Sequence, residues 1–354
     1  MRGQEMRRDR KLDLMRGWAV FHMFFMHVPY WLNFYGSGWP ALIRSWLLFT
    51  MAVYFFVTGA VNIEAKRRPW GEFVVRRAKV LMLPYYRYAL LCTVIAAAVY
   101  VYKGQFTWEL LGRTALSWVL PIDQQIMPLP FITWAVWFVP VYLSVIIVFP
   151  LTRWLVEHIG IVLTEVVLIA VFLVVENIPG VPDLVQKAAY YPIFAALGTQ
   201  WPTLKHRSRK KVLGAAALMV FGFASLIICK NLFGGTYDMQ VNKFPPNHLY
   251  LLFNFGAVGL LYILLPAIAC VWRFLVRKIP LAERAFHLYS SYSVYAFMYH
   301  TFPYVFVFWL LDKTGLKGTF PGFVLSEVIV IPVATMTLWA IAMIREKKDY
   351  LRKE

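Results

Sequence analysis

The sequence predicts an all-α fold, a polytopic transmembrane helix bundle of about ten spans with both termini in the cytoplasm. Of the 354 residues, 60% are hydrophobic and 15% are charged, whereas soluble domains are about 45–50% apolar and about 25% charged. Apolar runs long enough to cross a bilayer, about 20 residues each, recur from end to end. Lysine and arginine are grouped in short blocks between these runs. Together these features indicate an integral membrane protein.

Ten apolar segments are candidate spans, since each approaches the length of a membrane helix. The sixth carries Gln186 and Lys187 near its start and is interrupted by Pro192. The predicted spans cover residues 14–34, 41–63, 80–102, 133–151, 159–176, 184–202, 212–229, 247–272, 286–310 and 322–344.

The distribution of lysine and arginine orients these spans. With ten spans, the dense basic blocks all fall on one side, which the positive-inside rule assigns to the cytoplasm. The other side has sparser charge and two long connections, 103–132 and 230–247. We therefore predict one domain over residues 1–354, with a basic cytoplasmic N-terminus (1–13), a transmembrane bundle (14–344) and a basic cytoplasmic tail (345–354).

The net charge of +18 does not indicate nucleic-acid binding, because the charge lies in loops between apolar runs. It favours membrane lipids and anionic head groups or phosphates as partners. The three cysteines fall within or at the end of apolar runs without metal-like spacing, so neither a disulfide framework nor a metal site is expected. The basic start resembles a signal peptide but lacks a small-residue cleavage site, so the first helix is expected to be retained.

The first span holds the candidate catalytic residues. Arg16 and His27 are eleven residues apart, which places them on one helix face about 16 Å apart. Asp13 falls on roughly the same face. A neutral imidazole at membrane depth can act as a general base toward a hydroxyl, or it can bond a neighbouring carbonyl and only join helices. His22 points elsewhere and is interpreted as structural.

The second span and the helix after it add a small polar position and a basic cluster. Thr58 offers a hydroxyl beside Gly59, where a small side chain permits close helix approach. Arg76, Arg77 and Lys79 open the next helix, where they either clamp phosphates or are ordinary positive-inside charges.

Five runs in this order and spacing resemble the acyltransferase-3 family of integral membrane acyltransferases: LDLMRGWAVFHMFFMH, FFVTGAVN, RRAKVLMLPYY, WAVWFVP and SYSVYAFMYH. Arg16 and His27 match the Arg-x10-His signature of its first helix. Thr58 stands where the family's Phe-Phe-x-Ser-Gly stretch has serine, and Val80 stands where its basic motif has a second arginine. The further matches are Arg76, Arg77, Lys79, Pro84-Tyr85, Trp137-Phe138, Tyr295 and His300.

The resemblance implies an acyl-CoA-dependent O-acyltransferase. Separately, the short loops and the lack of an organelle signal favour a bacterial inner membrane. Such proteins pass an acyl group, commonly from cytoplasmic acetyl-CoA, to a hydroxyl on the far side. The acceptor is commonly a saccharide or lipid-linked saccharide. The resemblance makes His27 the base, with Thr58 or His300 orienting it or stabilising the oxyanion. The residues it implies for donor binding are Arg16, Arg76, Arg77, Lys79 and Tyr85.

Two other readings stay open. In a transporter or flippase, Arg16, His27 and His300 would line a path for an anion or a proton-coupled solute. Such a protein would move substrate across vesicles without binding acyl-CoA. In a non-catalytic lipid-binding scaffold, no single buried polar residue would matter to activity.

Overall fold

The computed structural model describes residues 9–31, 39–64, 68–119, 132 and 134–351. The described residues are 86% helical and contain no strand, which confirms the predicted all-α class. A short 3₁₀ turn, Trp134–Trp137, precedes the sixth helix. The helices are α1 Arg10–Trp31, α2 Trp39–Trp46, α3 Thr50–Glu64, α4 Trp70–Tyr102, α5 Trp108–Ser117, α6 Phe138–Glu176, α7 Asp183–Gly198, α8 Trp201–Leu204, α9 Arg209–Phe233, α10 Met239–Lys243, α11 His248–Lys278, α12 Pro280–Ser291, α13 Ser293–Tyr299, α14 Thr301–Thr314 and α15 Phe320–Leu351.

The chain forms two compact units. Unit 1 contains the described residues of 9–26, 39–64 and 151–293. Unit 2 contains those of 27–31, 68–119, 132–150 and 294–351. The first helix therefore contributes Arg16 to unit 1 and His27 to unit 2.

Seven helical segments of the described chain are long and apolar enough to cross a membrane. They correspond to eight of the ten predicted spans, because the single segment α6 covers both the fourth and the fifth. Helix α1 is not among them, because four charged residues and two histidines lower its mean hydropathy, and α7 has only 16 residues. The count of ten and the cytoplasmic termini stay predictions. The seven segments are Arg44–Ile63, Trp70–Tyr102, Phe138–Glu176, Arg209–Phe233, His248–Lys278, Ser293–Thr314 and Phe320–Arg345.

Helix α6 is broken at Gly160. Its 39 residues would extend about 58 Å as one ideal helix, roughly twice the thickness of a hydrocarbon core. Gly160 has φ 78° and ψ 165°, a positive-φ conformation that favours glycine. The break falls one residue after the predicted start of the fifth span, residue 159.

Close backbone contact joins α3 to α7 in unit 1. A Cβ on Gly59 would lie 1.9 Å from the Ala195 carbonyl oxygen, and one on Gly198 would lie 2.0 Å from the Phe56 carbonyl oxygen. Only glycine fits at both positions, as in other tightly packed membrane helices. Phe55 stacks on Tyr191 across the same contact, with ring centroids 4.4 Å apart.

The core of unit 2 is built on one face of α4. Leu81, Tyr85, Tyr88 and Cys92 recur every three or four residues, so they share a face, and all are buried. They pack with Trp118 and with Met298 of α13. This packing fixes α13 directly before the predicted site residue His300.

Candidate functional site

The end of α1 and the start of α14 bring His27 and His300 into contact. His27 Nδ1 lies 2.9 Å from His300 Nε2, and the two rings stack with centroids 5.0 Å apart. His300 is 1% exposed and occupies the N-cap position of α14, whereas His27 is half-buried. The pair therefore has one enclosed imidazole and one that is more accessible.

The hydrogen bonds assign a tautomer to each ring. His300 Nδ1 lies 3.1 Å from the Ala296 carbonyl oxygen, and because a carbonyl only accepts, this nitrogen carries the hydrogen. A neutral imidazole has one N–H, so His300 Nε2 accepts, and His27 Nδ1–H donates to it. His27 Nε2 then keeps its lone pair. That nitrogen is able to take a proton from a hydroxyl.

Aromatic side chains hold this pair in place. Phe297 stacks on Phe138 with centroids 4.2 Å apart, and Trp137 meets Phe297 edge to face at 6.5 Å. His300 in turn contacts Phe297 and Tyr304 edge-on, at 5.9 and 5.6 Å. The predicted Trp-Phe motif thus supports the turn that carries His300.

Polar contacts from α4 flank the same turn. Tyr88 donates its hydroxyl to the Ile132 carbonyl at 2.6 Å, and the same oxygen lies 3.1 Å from Thr301 Oγ1. Arg87 donates to the Tyr295 hydroxyl at 3.5 Å. Tyr295 belongs to the late predicted motif and lies five residues before His300. The guanidinium group of Arg87 contacts its hydroxyl.

The residues predicted to bind the donor from α4 occupy different environments. Arg76 and Lys79 are exposed, and Arg77 is half-buried with its guanidinium carbon 5.9 Å from the centre of the Phe73 ring. Tyr85 is fully buried and donates its hydroxyl to the Trp118 carbonyl at 3.0 Å. Tyr85 is therefore packed in the core of unit 2, while Arg76 and Lys79 lie at the surface. The predicted contacts of these residues with the donor stay predictions.

The other predicted site residues lie in unit 1. Thr58 is 5% exposed and donates its hydroxyl to the Tyr54 carbonyl at 2.9 Å, within its own helix. Asp13 accepts from the Ser290 hydroxyl at 3.0 Å. Arg16 is half-buried and makes no hydrogen bond or ion pair within the described residues. Within the described chain, no residue competes with an anion for its five donors.

His22 has a structural environment, as the sequence indicated. Its Nδ1 bonds the Thr50 hydroxyl, and its ring stacks on Phe49 with centroids 4.9 Å apart. In the described part of the chain, His, Cys, Asp and Glu side chains form no group of three or more that could hold a metal ion.

A comparison of the sequence with known families decides the class of the protein. The family model of an acyltransferase domain matches residues 9–342, nearly the whole chain. The chain belongs to this family, acyltransferase-3. The resemblance read from the five runs is therefore confirmed, and the protein is an integral membrane acyltransferase. No curated protein and no solved structure gives a match.

The sequence analysis assigned no role to two sets of buried ionisable side chains in the acyltransferase. Glu327, in unit 2, has both carboxyl oxygens buried without a hydrogen-bond partner in the described chain, and it interacts electrostatically with Tyr304. The signal was present, because Glu327 is the single acidic residue of the predicted last span.

The second part is a pair of buried lysines in unit 1. Lys187 forms an ion pair with Asp183 and is 2% exposed; Lys243 is 7% exposed. Their ammonium groups lie 4.6 and 4.8 Å from the centre of the Phe244 ring. Burial, followed by the charge of Lys187, lowers the pKa of Lys243 to about 7.

Proposed function

We propose that this acyltransferase moves an acyl group, specifically acetyl, from cytoplasmic acyl-CoA to a hydroxyl of an extracytoplasmic acceptor, a saccharide or lipid-linked saccharide. The observation that supports this proposal most is the contact between His27 and His300. It leaves His27 Nε2 as a proton acceptor in a membrane-embedded acyltransferase.

The proposed chemistry is a single transfer with balanced protons. His27 Nε2 takes the proton of the acceptor hydroxyl while its oxygen attacks the thioester carbonyl. The carbon–sulfur bond then breaks, and the leaving thiolate takes the proton back from His27. The products are an O-acyl ester and free CoA. His300 fixes the ring of His27 throughout through its Nε2, as a third group orients the base in other acyl transferases.

Thr58 is the other residue expected to orient the base or to stabilise the oxyanion. Its hydroxyl hydrogen already serves the Tyr54 carbonyl in its own helix. We therefore assign the orienting role to His300.

We further propose that Arg16 binds a phosphate of the donor. A guanidinium group forms paired hydrogen bonds with phosphate, and Arg16 has no competing partner in the described chain. On an ideal helix Arg16 and His27 are separated by about 16 Å along the axis of α1. Arg76 and Lys79 are exposed, so we assign them only secondary contacts with the phosphates of the donor.

Calorimetric binding of acetyl-CoA to purified protein tests the donor assignment. Arg16→Gln removes a charged donor, which is worth about 1.5–3 kcal/mol, so the dissociation constant should rise roughly tenfold to a hundredfold. Arg113→Gln is the matched control, because Arg113 is 75% exposed and pairs only locally with Glu109. Equal binding by both variants would remove Arg16 from the donor site.

The same preparation separates the transferase from a transporter or flippase. His27→Gln should bind acetyl-CoA as wild type does and yet, once a saccharide acceptor is added, release CoA at least a hundredfold more slowly. A folded wild-type protein that binds no acyl-CoA, but moves solute across vesicles, would favour the transporter.

A further inference from the structure

Unit 1 contains a large apolar cavity that the proposed reaction does not use. Its volume is about 820 Å³. Six helical segments contribute to its wall: α1, the start of α3, the part of α6 after Gly160, α8, α9 and α11. Cavities of about 300–1,000 Å³ with mostly apolar walls and a few polar groups are typical ligand sites.

This cavity lies against the side of α1 that faces away from Arg16. Trp18 and His22 line it and are four residues apart, so they share one stripe of the helix. At 100° per residue, Trp18 is about 160° from Arg16 around the helix axis. The proposed base His27 belongs to unit 2, whereas every residue that lines the cavity belongs to unit 1.

Glu165 gives the cavity an unsatisfied polar group. Both of its carboxyl oxygens are buried, and neither has a hydrogen-bond partner in the described chain. A buried polar group without a partner is costly, so a ligand with a polar group at this depth would offset the cost. Glu165 lies five residues after the break at Gly160, hence about one and a half turns from that end of the helix.

One wall of the cavity is open to the outside. Val162 and Val166 line it on α6, yet their side chains are 74% and 56% exposed. A closed chamber would leave its lining far less accessible. On an integral membrane protein, an apolar opening between helices faces hydrocarbon, so a ligand can enter directly from the bilayer.

The length of the cavity matches one leaflet. From Leu14 to His22 along α1 is about 12 Å, and from Ile268 to Val258 along α11 is about 15 Å. The hydrocarbon core of a bilayer is about 30 Å thick, so one leaflet takes about half of it. One lipid chain therefore fits the long axis.

Two cations lie beside the part of the wall that Tyr262 forms. Pro266 has no N–H for the carbonyl of Tyr262, and Arg207 instead donates to the Tyr262 and Ile263 carbonyls at 3.1 and 3.2 Å. The guanidinium carbon lies 5.7 Å from the centre of the Tyr262 ring, which lines the cavity. Lys211 donates to the carbonyls of Thr203 and His206, on the segment that precedes and follows Leu204 of the cavity wall. An anionic head group would be attracted to this side of the cavity.

We propose that this cavity binds one hydrocarbon chain of an anionic phospholipid from the bilayer. The head-group phosphate lies near Arg207 and Lys211. A hydroxyl of the lipid lies against Glu165 and donates to one of its carboxyl oxygens.

Native mass spectrometry of the purified full-length protein tests this proposal, with phosphatidylglycerol and phosphatidylcholine as the probes. Leu218→Trp fills the cavity from α9, and Val220→Trp is the matched control, because Val220 is 59% exposed on the same helix and does not line the cavity. Wild type and Val220→Trp should retain one phosphatidylglycerol after delipidation. In Leu218→Trp, the fraction of protein that retains phosphatidylglycerol should be at least fivefold lower.

Two further variants keep the test decisive. Gly214→Leu also fills the cavity and meets no atom within 4 Å at its Cβ, so it replaces Leu218→Trp if that variant does not fold. Lys211→Gln should reduce the preference for phosphatidylglycerol over phosphatidylcholine. Equal lipid retention by the filled and control variants would overturn the proposal, as would a bound lipid that long-chain acyl-CoA displaces from wild type.

Discussion

At the residue scale, the histidine pair shows what a sequence reveals and what it hides. The eleven-residue spacing of Arg16 and His27 places both on one helix face, and that much follows from helix geometry alone. Their environments do not follow, because His300 is 273 positions from His27 and only the fold brings the two rings together. Tyr85 shows the same limit: the donor contact that the family pattern implies stays a prediction, and only the fold shows that its hydroxyl donates to the Trp118 carbonyl in the core.

The orienting role of His300 can be tested with two substitutions. His300→Phe fills the ring space but removes the acceptor for His27 Nδ1–H, so kcat should fall while KM for acetyl-CoA stays within about twofold. His300→Gln restores an acceptor oxygen and should recover part of the lost kcat. Steady-state release of CoA measures both. If the two variants were equally impaired, His300 would be a packing residue only.

The buried Lys243 predicts a pH-dependent stability. Its pKa is lowered from 10.5 to about 7 in the folded protein, so between these values the unfolded chain binds more protons. Stability should therefore rise with pH from about 7 to about 10.5. Lys243→Met should lack this part of the slope, whereas Lys103→Met, at an exposed position, should keep it. Thermal unfolding in detergent across this range would check the difference, and identical slopes would contradict it.

At the element scale, composition predicted most helices but not their continuity. The two apolar runs on either side of residue 159 were read as separate spans, and the structure breaks α6 at Gly160. Helix α7 was expected to span from 184 to 202, but it ends at Gly198 after 16 residues. Hydropathy averages over a window, so it cannot locate the backbone contact of Gly198 with α3 that sets this packing.

The contact between α3 and α7 predicts a sharp difference between two glycine substitutions. Gly198→Ala places a methyl group 2.0 Å from the Phe56 carbonyl oxygen, so the helices must separate, at a cost of about 1–3 kcal/mol. Gly112→Ala, in α5, meets nothing within 4 Å and should be neutral or stabilise by up to about 1 kcal/mol. Thermal midpoints in detergent compare the two. A Gly198→Ala protein as stable as wild type would show that the backbones are not in contact.

At the scale of the whole molecule, the sequence predicted the class, and the family match confirms it. Composition alone indicated a membrane protein, and the ordered runs indicated an acyltransferase of this family. Neither the division into two units nor the cavity beside Glu165 was predicted, because both depend on contacts between distant segments. Residues 120–131, part of the extracytoplasmic connection predicted at 103–132, lie outside the described residues.

The most direct test of the proposed function is acceptor-dependent release of CoA from acetyl-CoA by protein reconstituted in lipid vesicles, with a membrane saccharide extract as acceptor. Removing a general base costs about 10²- to 10⁴-fold in rate, so His27→Gln should lose at least a hundredfold. His206→Gln, a substitution of an exposed histidine, should keep the wild-type rate. If His27→Gln released CoA as fast as His206→Gln does, His27 would not be the base, and the proposed mechanism would be wrong.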